Sequence, residues 1–351
     1  MGFAAVASQG SRSTSSGCRP RRLEHYVVRS APEPRTLEDN VPLDPQIAGL
    51  LALMETNGAP PLSQGTPEQA RAGFRMLSVG MRDPATLAPV RSAEDVVLPG
   101  GIPARIYRPE VDGTVPTVVF LHGGGFVIGD LETHDDHARL ISAEVGAVVL
   151  SVDYRLAPEH PWPAGLEDCI AATRWALTHI DELGGDSARV GVGGDSAGGN
   201  LSAAVALELR GDEGPHLAAQ LLIYPGTDFE DEASHPSREA NAKGYLLTVD
   251  DMLWFGEQYV PKGANRRDPR LSVLHAPDLS GLPPAVVATA EYDPLRDEGE
   301  AFADALETAG VKVVRHRYDG LIHGFFGLGV LSPAAATAVR ELCADFKQLL
   351  G

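Results

Sequence analysis

The apolar positions of this chain change period along its length, and the changes divide it. Residues 1–40 follow neither a helical nor a strand period. They are rich in Ser, Arg and Pro and poor in aliphatic residues, which predicts a disordered tail. An Arg- and Ser-rich start also suits a transit peptide, but Glu24, Glu33, Glu38 and Asp39 weaken that reading, and no continuous apolar run marks a secretory signal. Ile47, Leu50, Leu51 and Met54 then recur at helical spacing, closed by Asn57-Gly58. Thr66-Pro67-Glu68-Gln69 reads as an N-cap and first-turn proline opening a second helix that runs to Met76. Two short helices ahead of any strand predict that residues 41–90 form the N-terminal part of a helical cap.

Strand patterns follow. Residues 95–98 and 104–108 flank Pro99-Gly100-Gly101, a hairpin signal. Residues 117–121 are a continuous apolar run, as expected of a strand buried on both faces. Further strands are predicted at 147–152, 189–192, 220–223, 285–288 and 312–316, with helices at 137–144, 166–180, 197–210, 296–308 and 334–350. Strands alternating with helices predict an α/β fold with a mostly parallel central sheet flanked by helices, over residues 91–351. Residues 228–268 interrupt the alternation with the apolar group Leu246, Leu247, Met252, Leu253, Trp254 and Phe255, and read as a cap insertion.

Composition narrows the partners. With 351 residues, 43% of them hydrophobic, the chain can bury one large core. A net charge of −19 argues against nucleic acid and anionic lipid, both of which attract basic faces. No apolar run approaches the roughly 20 residues of a membrane span. Cys18, Cys169 and Cys343 are odd in number and lack a C-x-x-C spacing, which fits a reducing cytoplasm better than a disulfide scaffold.

The chemistry centres on Gly194-Asp195-Ser196-Ala197-Gly198, between a predicted strand and a predicted helix. In that context a G-x-S-x-G pentapeptide makes a strained turn that lifts a serine hydroxyl above the sheet, and side chains in place of the glycines would collide with neighbouring backbone. Three other stretches lie in register with it. His122-Gly123-Gly124-Gly125-Phe126 follows the 117–121 strand, and its glycines let backbone N–H groups turn outward, where they can stabilise an oxyanion. Asp293 follows the 285–288 strand; it can serve as an acid partner, as a cap of the following helix with Pro294 in the first helical position, or as both. Glu291 and Asp297 are rival acids, one nearer the strand and one further into the helix. His323 follows the last strand and is succeeded by Gly324, completing the chain order Ser, Asp, His. His134-Asp135-Asp136-His137 has metal-ligand residue types, but acidic residues at a helix opening favour the dipole, and no metal site is expected.

Together with the run Tyr154-Arg155-Leu156-Ala157-Pro158-Glu159, these motifs resemble the hormone-sensitive-lipase-like esterases of the α/β-hydrolase superfamily, bacterial family IV, from about residue 41 onward. The resemblance implies a serine carboxylesterase for small-molecule esters of short to medium chain. Ser196, His323 and Asp293 would be the catalytic triad, and the N–H groups of Gly124, Gly125 and Ala197 the oxyanion hole. It implies a structural role for His122, no cofactor, and frequent homodimers. An amidase or deacetylase of the same fold shares this machinery. A non-catalytic ligand-binding receptor of the same fold, as in the plant gibberellin receptors, lacks the triad histidine that is present here. Phe126, Leu246, Leu247, Trp254 and Phe255 are candidates for an apolar substrate pocket or for cap core.

Overall fold

The computed structural model describes residues 41–58, 61–230 and 235–351, so the expectation for residues 1–40 lies outside the described residues. Its helices and strands follow in the order α1 (Pro45–Thr56), α2 (Pro67–Arg75), β1 (Ser92–Leu98), β2 (Ile102–Arg108), β3 (Val115–Leu121), α3 (Asp135–Ile141), β4 (Val148–Val152), α4 (Ala164–Thr178), α5 (Ile180–Leu183), β5 (Gly185–Asp195), α6 (Ala197–Leu209), β6 (Ala219–Ile223), α7 (Pro236–Ala240), α8 (Val249–Tyr259), β7 (Ala285–Tyr292), α9 (Arg296–Thr308), β8 (Val313–Ile322) and α10 (Pro333–Leu350).

The eight strands form one sheet in the order β1-β2-β4-β3-β5-β6-β7-β8. β1 and β2 run antiparallel, as do β2 and β4; every other pairing is parallel. All seven residues of β3 are buried, as its unbroken apolar run requires. Val119 and Leu121 point to the face covered by α4, α6 and α9; Val118 and Phe120 point to the face covered by α3 and α10. Cys169 and Cys343 are free and buried, one in the core of each face.

Each predicted strand is present, most are longer than expected, and β5, β7 and β8 gain the most. β5 begins at Gly185, β7 continues to Tyr292 and β8 to Ile322. The β8 extension is polar (Arg317, Tyr318, Asp319) because β8 is a half-buried edge strand, and an edge strand has no continuous apolar run to reveal it. α9 spans the predicted 296–308, and the alternative in which Asp293 caps it with Pro294 in the first helical position does not hold, because Asp293 and Pro294 form a turn ahead of the helix whose Asp293 Oδ1 accepts the Leu295 N–H at 2.8 Å.

The stretches read as cap material are anchored differently. Ile47 of α1 is fully buried in the α3/α10 face, and the Asp44 N–H just before α1 bonds to Gly320 O at 2.9 Å. α2 sits beside the glycine-rich loop after β3: Arg71 donates to Val127 O and Ala157 O, both at 2.8 Å, and pairs with Glu159. The Ser63 N–H, just before α2, bonds to Asp251 of α8 at 3.0 Å.

Candidate active site

Four strands end in a row at one rim of the sheet, and each delivers a motif there. β3 runs into His122, β5 into Ser196, β7 into Asp293 and β8 into His323. Parallel strands place their C-terminal ends together, which is why residues up to 200 positions apart can meet.

Ser196 has φ 54° and ψ −116°, a left-handed conformation that a non-glycine residue rarely adopts. The turn is held on both sides. The Ser196 N–H bonds to Ile223 O of β6 at 2.8 Å, and the Asn200 N–H bonds back to Ser196 O at 3.1 Å. A Cβ on Gly194 or on Gly198 would overlap Leu121 O of β3, so only glycine permits this approach of helix to sheet.

His323 bridges the other two groups. Its Nε2 lies 2.9 Å from Ser196 Oγ and its Nδ1 lies 2.7 Å from Asp293 Oδ2. Asp293 is fully buried and splits its oxygens between His323 and the Leu295 N–H. Its loop is braced by α7, where Asn241 donates to Asp293 O at 3.1 Å and Ser237 donates to Pro294 O at 2.8 Å. The rival acids are engaged elsewhere: Glu291 lies 3.5 Å from Arg296, and Asp297 pairs with Arg296 and accepts the Ser237 N–H. The buried Tyr224 ring lies 4.6 Å from the His323 ring, and Tyr224 has a positive φ of 38°.

Gly124 and Gly125 have φ 112° and 57°, and Phe126 has φ 64°. Three successive residues in positive φ turn the chain sharply at the end of β3. Among the described residues no acceptor takes the N–H of Gly124, Gly125 or Ala197, the last being the first residue of α6. The loop is held from behind by the 154–159 run. The Tyr154 OH donates to His122 O at 2.7 Å, the Tyr154 ring stacks on His122 at 4.3 Å, and the Ala157 N–H bonds to Phe126 O. Burial, with His134 close by, pushes the His122 imidazole down to about 4. His122 is therefore neutral near pH 7 and donates from Nδ1 to Gly123 O at 2.8 Å.

The five apolar candidates separate. Phe255 lies against Gly125, where a Cβ would overlap its ring, and Leu246 lies 3.1 Å from where a Cβ on Gly324 would stand. Phe126 is turned away into a buried stack, 3.8 Å from Tyr259 with the rings near parallel. Trp254 packs edge-on against Phe255, and Leu247 joins the core on that side of the sheet.

Two groups among the described residues bring metal-ligating atoms within 4.8 Å of one another: His134, His137 and Asp195, all buried, and Asp228, Glu230 and His275. The 134–137 stretch does open a helix with acidic residues, but the first grouping omits both of its aspartates. Asp135 holds the Tyr107 OH and Arg139, Asp136 holds His137, and Asp195 from the serine turn completes the set. In the second, the two oxygens of Asp228 each meet an imidazole, His235 Nε2 and His275 Nε2, at 2.9 Å. The contributions of Asp195, Asn241 and Tyr224 to this rim carry no spacing signal in the sequence; each depends on a partner in another segment.

Known proteins resemble this chain over most of its length. The profile of the alpha/beta hydrolase fold family matches residues 118–327. The carboxylic ester hydrolase LipN of Mycobacterium tuberculosis is 43% identical over 88% of this chain and 84% of its own length. The ethyl acetate hydrolase of Pseudomonas putida is 35% identical over 82% and 93%. Among solved structures, the hyperthermophilic esterase of Pyrobaculum calidifontis superposes with a TM-score of 0.81 at 41% identity, covering 88% of this chain and 99% of that one. The chain therefore belongs to the alpha/beta hydrolase family and, within it, to the hormone-sensitive-lipase-like carboxylesterases.

Proposed function

We propose that this protein is a serine carboxylesterase that hydrolyses short- to medium-chain esters through an acyl-enzyme. The reading is carried by the continuous Asp293–His323–Ser196 hydrogen-bonded chain, with spacings of 2.7 and 2.9 Å. In it, Ser196 Oγ attacks the ester carbonyl while His323 Nε2 takes the hydroxyl proton and then delivers it to the leaving alcohol. Asp293 holds the His323 proton on Nδ1, which leaves Nε2 free to act as base. The N–H groups of Gly124, Gly125 and Ala197 receive the charge that develops on the carbonyl oxygen. Water repeats the sequence on the acyl-enzyme and frees the acid. No step calls for a cofactor.

Residues 41–90 and 228–268 form the cap in this reading, and Phe255 and Leu246 are the cap side chains nearest the reacting atoms. Relatives named carboxylesterase and ethyl acetate hydrolase support small esters as substrates. Among the described residues no helix is long and apolar enough to cross a membrane. The free Cys169 and Cys343 support a reducing cytoplasm as the compartment, and the position of β8 at the edge of the sheet supports a homodimer, which light scattering would detect.

Replacing the nucleophile tests the reading. Ser196→Ala is expected to lower kcat on p-nitrophenyl butyrate by about 10⁴-fold or more with an unchanged circular dichroism spectrum. Retained turnover would remove Ser196 from its role.

A further inference from the structure

The second residue of the serine pentapeptide carries its own device. Asp195 ends β5 and is buried, yet its side chain is not spent within the turn. Oδ1 accepts the N–H of Gly123 at 2.9 Å, reaching from β5 to the loop after β3 across 72 residues of sequence. The contact is close on every side: a Cβ on Gly123 would overlap Asp195 Oδ2 and lie 2.9 Å from both Asp195 Cγ and Asp195 O. The carboxylate and the glycine loop therefore have no slack between them, and a displaced carboxylate displaces Gly123. Gly123 directly precedes Gly124 and Gly125, whose N–H groups no acceptor takes among the described residues.

A buried carboxylate needs compensation, and imidazoles supply it here. His134 Nε2 stands 3.7 Å from Asp195 Oδ1, and His137 groups with the same pair. His134 is fixed by its Nδ1, 3.0 Å from Thr133 Oγ1, and His137 by its Nδ1, 2.8 Å from Asp136. Burial works to raise the Asp195 carboxyl, but His134 first and then His137 hold it far below the usual carboxylate range. The acceptor facing Gly123 is thus an ion, and hydrogen bonds to ions are about twice as strong as neutral ones.

We infer that Asp195 is a positioning residue: its ionised carboxylate, seated among His134 and His137, clamps the Gly123 N–H and so fixes the direction of the Gly124 and Gly125 amides. This rests on the oxyanion role proposed above for those amides. The role is indirect, because Asp195 touches the loop and not the substrate. Its loss should therefore weaken binding of the tetrahedral state and spare the ground state.

Two variants and two readouts decide the matter. Asp195→Ala removes the acceptor, and Asp195→Asn keeps the shape and a neutral acceptor. With p-nitrophenyl butyrate, kcat is expected to fall about 100-fold in the alanine variant and about tenfold in the asparagine variant, with KM within about threefold of wild type in both. The inhibition constant of a trifluoromethyl ketone, a mimic of the tetrahedral state, should rise in step with the fall in kcat. Hydrogen exchange of the 122–126 amides should quicken at least about tenfold in the alanine variant and less in the asparagine variant. Wild-type kcat and inhibitor affinity in Asp195→Asn would overturn the inference, as would an alanine variant whose loop exchanges no faster than wild type. If the alanine variant does not fold, the isosteric asparagine variant decides alone through its paired kcat and inhibitor shifts. If wild-type protein turns over no ester, the esterase reading fails by itself, and the exchange measurement still decides whether Asp195 clamps the loop.

Discussion

The strand-end rim and the segment between β6 and β7 are assembled by different means. At the rim, His122, Ser196, Asp293 and His323 each follow directly on a strand, half-buried in the case of β8, and neighbouring strands hold the turns: Ser196 by a 2.8 Å bond to β6, and the adjacent Tyr224 by a 2.7 Å bond to Ala288 of β7. Among the described residues, those other than glycine in left-handed conformation, Phe126, Ser196 and Tyr224, lie at this rim. Residues 228–268, by contrast, contain the short helices α7 and α8, held to the rim by side chains. Asn241, Ser237 and Arg238 reach the Asp293 loop and α9, while Phe255 rests on Gly125. Leu253 of α8 is 62% exposed, which no rim residue with a chemical role approaches. The difference teaches that the proposed reacting groups are set by the sheet, whereas the segment proposed as cap is joined to them mainly through side chains of short helices and loops.

The sharpest way to break the comparison is at the rim. Asp293→Asn keeps the volume, and its Oδ1 can still accept the Leu295 N–H, but the amide NH₂ then faces His323 Nδ1. The imidazole must move its proton to Nε2, where it can no longer act as base. The expected loss is about 10³- to 10⁴-fold in kcat/KM with little change in Tm, measured on p-nitrophenyl butyrate beside a melting curve. A loss below tenfold would mean that the rim does not depend on this tautomer.

A smaller effect is expected from the segment above it. Phe255→Ala opens space over Gly125 without touching the triad. On a p-nitrophenyl ester series from C2 to C16, the optimum should move to longer chains. The C8 to C4 ratio of kcat/KM should rise about tenfold, the worth of one or two methylenes in an apolar pocket. Tm should fall as well, because about 3 kcal/mol of packing is lost. An unchanged chain-length profile would assign Phe255 to the cap core alone.

The smallest effect separates well-compensated from poorly compensated carboxylates on the rim itself. Asp153 follows β4, and burial, with Asp130 nearby, pushes its carboxyl up to about 6. The folded protein therefore holds this proton more tightly than the unfolded chain does, and stability falls as pH rises from about 4 to 6. Asp153→Asn removes that penalty. It should stabilise the protein by about 1 kcal/mol at pH 8 and not at pH 4, seen as a Tm gain of a few degrees at the higher pH only. Equal gains at both values would exclude proton linkage as the cause.

Much of the rim was legible because its signals are contiguous. An apolar run followed at once by His122-Gly123-Gly124-Gly125, or within a few residues by Ser196, Asp293 or His323, states both that a strand ends and what it presents. The bounds of β8 were less legible, since an edge strand with Arg317 and Asp319 has no buried alternation to display. The five apolar candidates illustrate the limit further. Their hydrophobicity predicts burial, yet Leu246 is exposed, and nothing local separates Phe126, stacked on Tyr259, from Phe255, pressed on Gly125.

By itself the sequence determined the order and type of the elements, the strained serine turn and the kinds of group delivered to one rim, because strand period, glycine and turn chemistry act over a few neighbouring residues. Only the tertiary structure decided that Asp195 faces Gly123, that Asn241 holds the Asp293 loop, and that Phe255 rather than Phe126 meets the glycine loop. Each of these pairs joins segments about 50 or more residues apart. A residue's pattern reports how deeply it will be buried, but the neighbour it finds depends on how distant strands and helices are brought together.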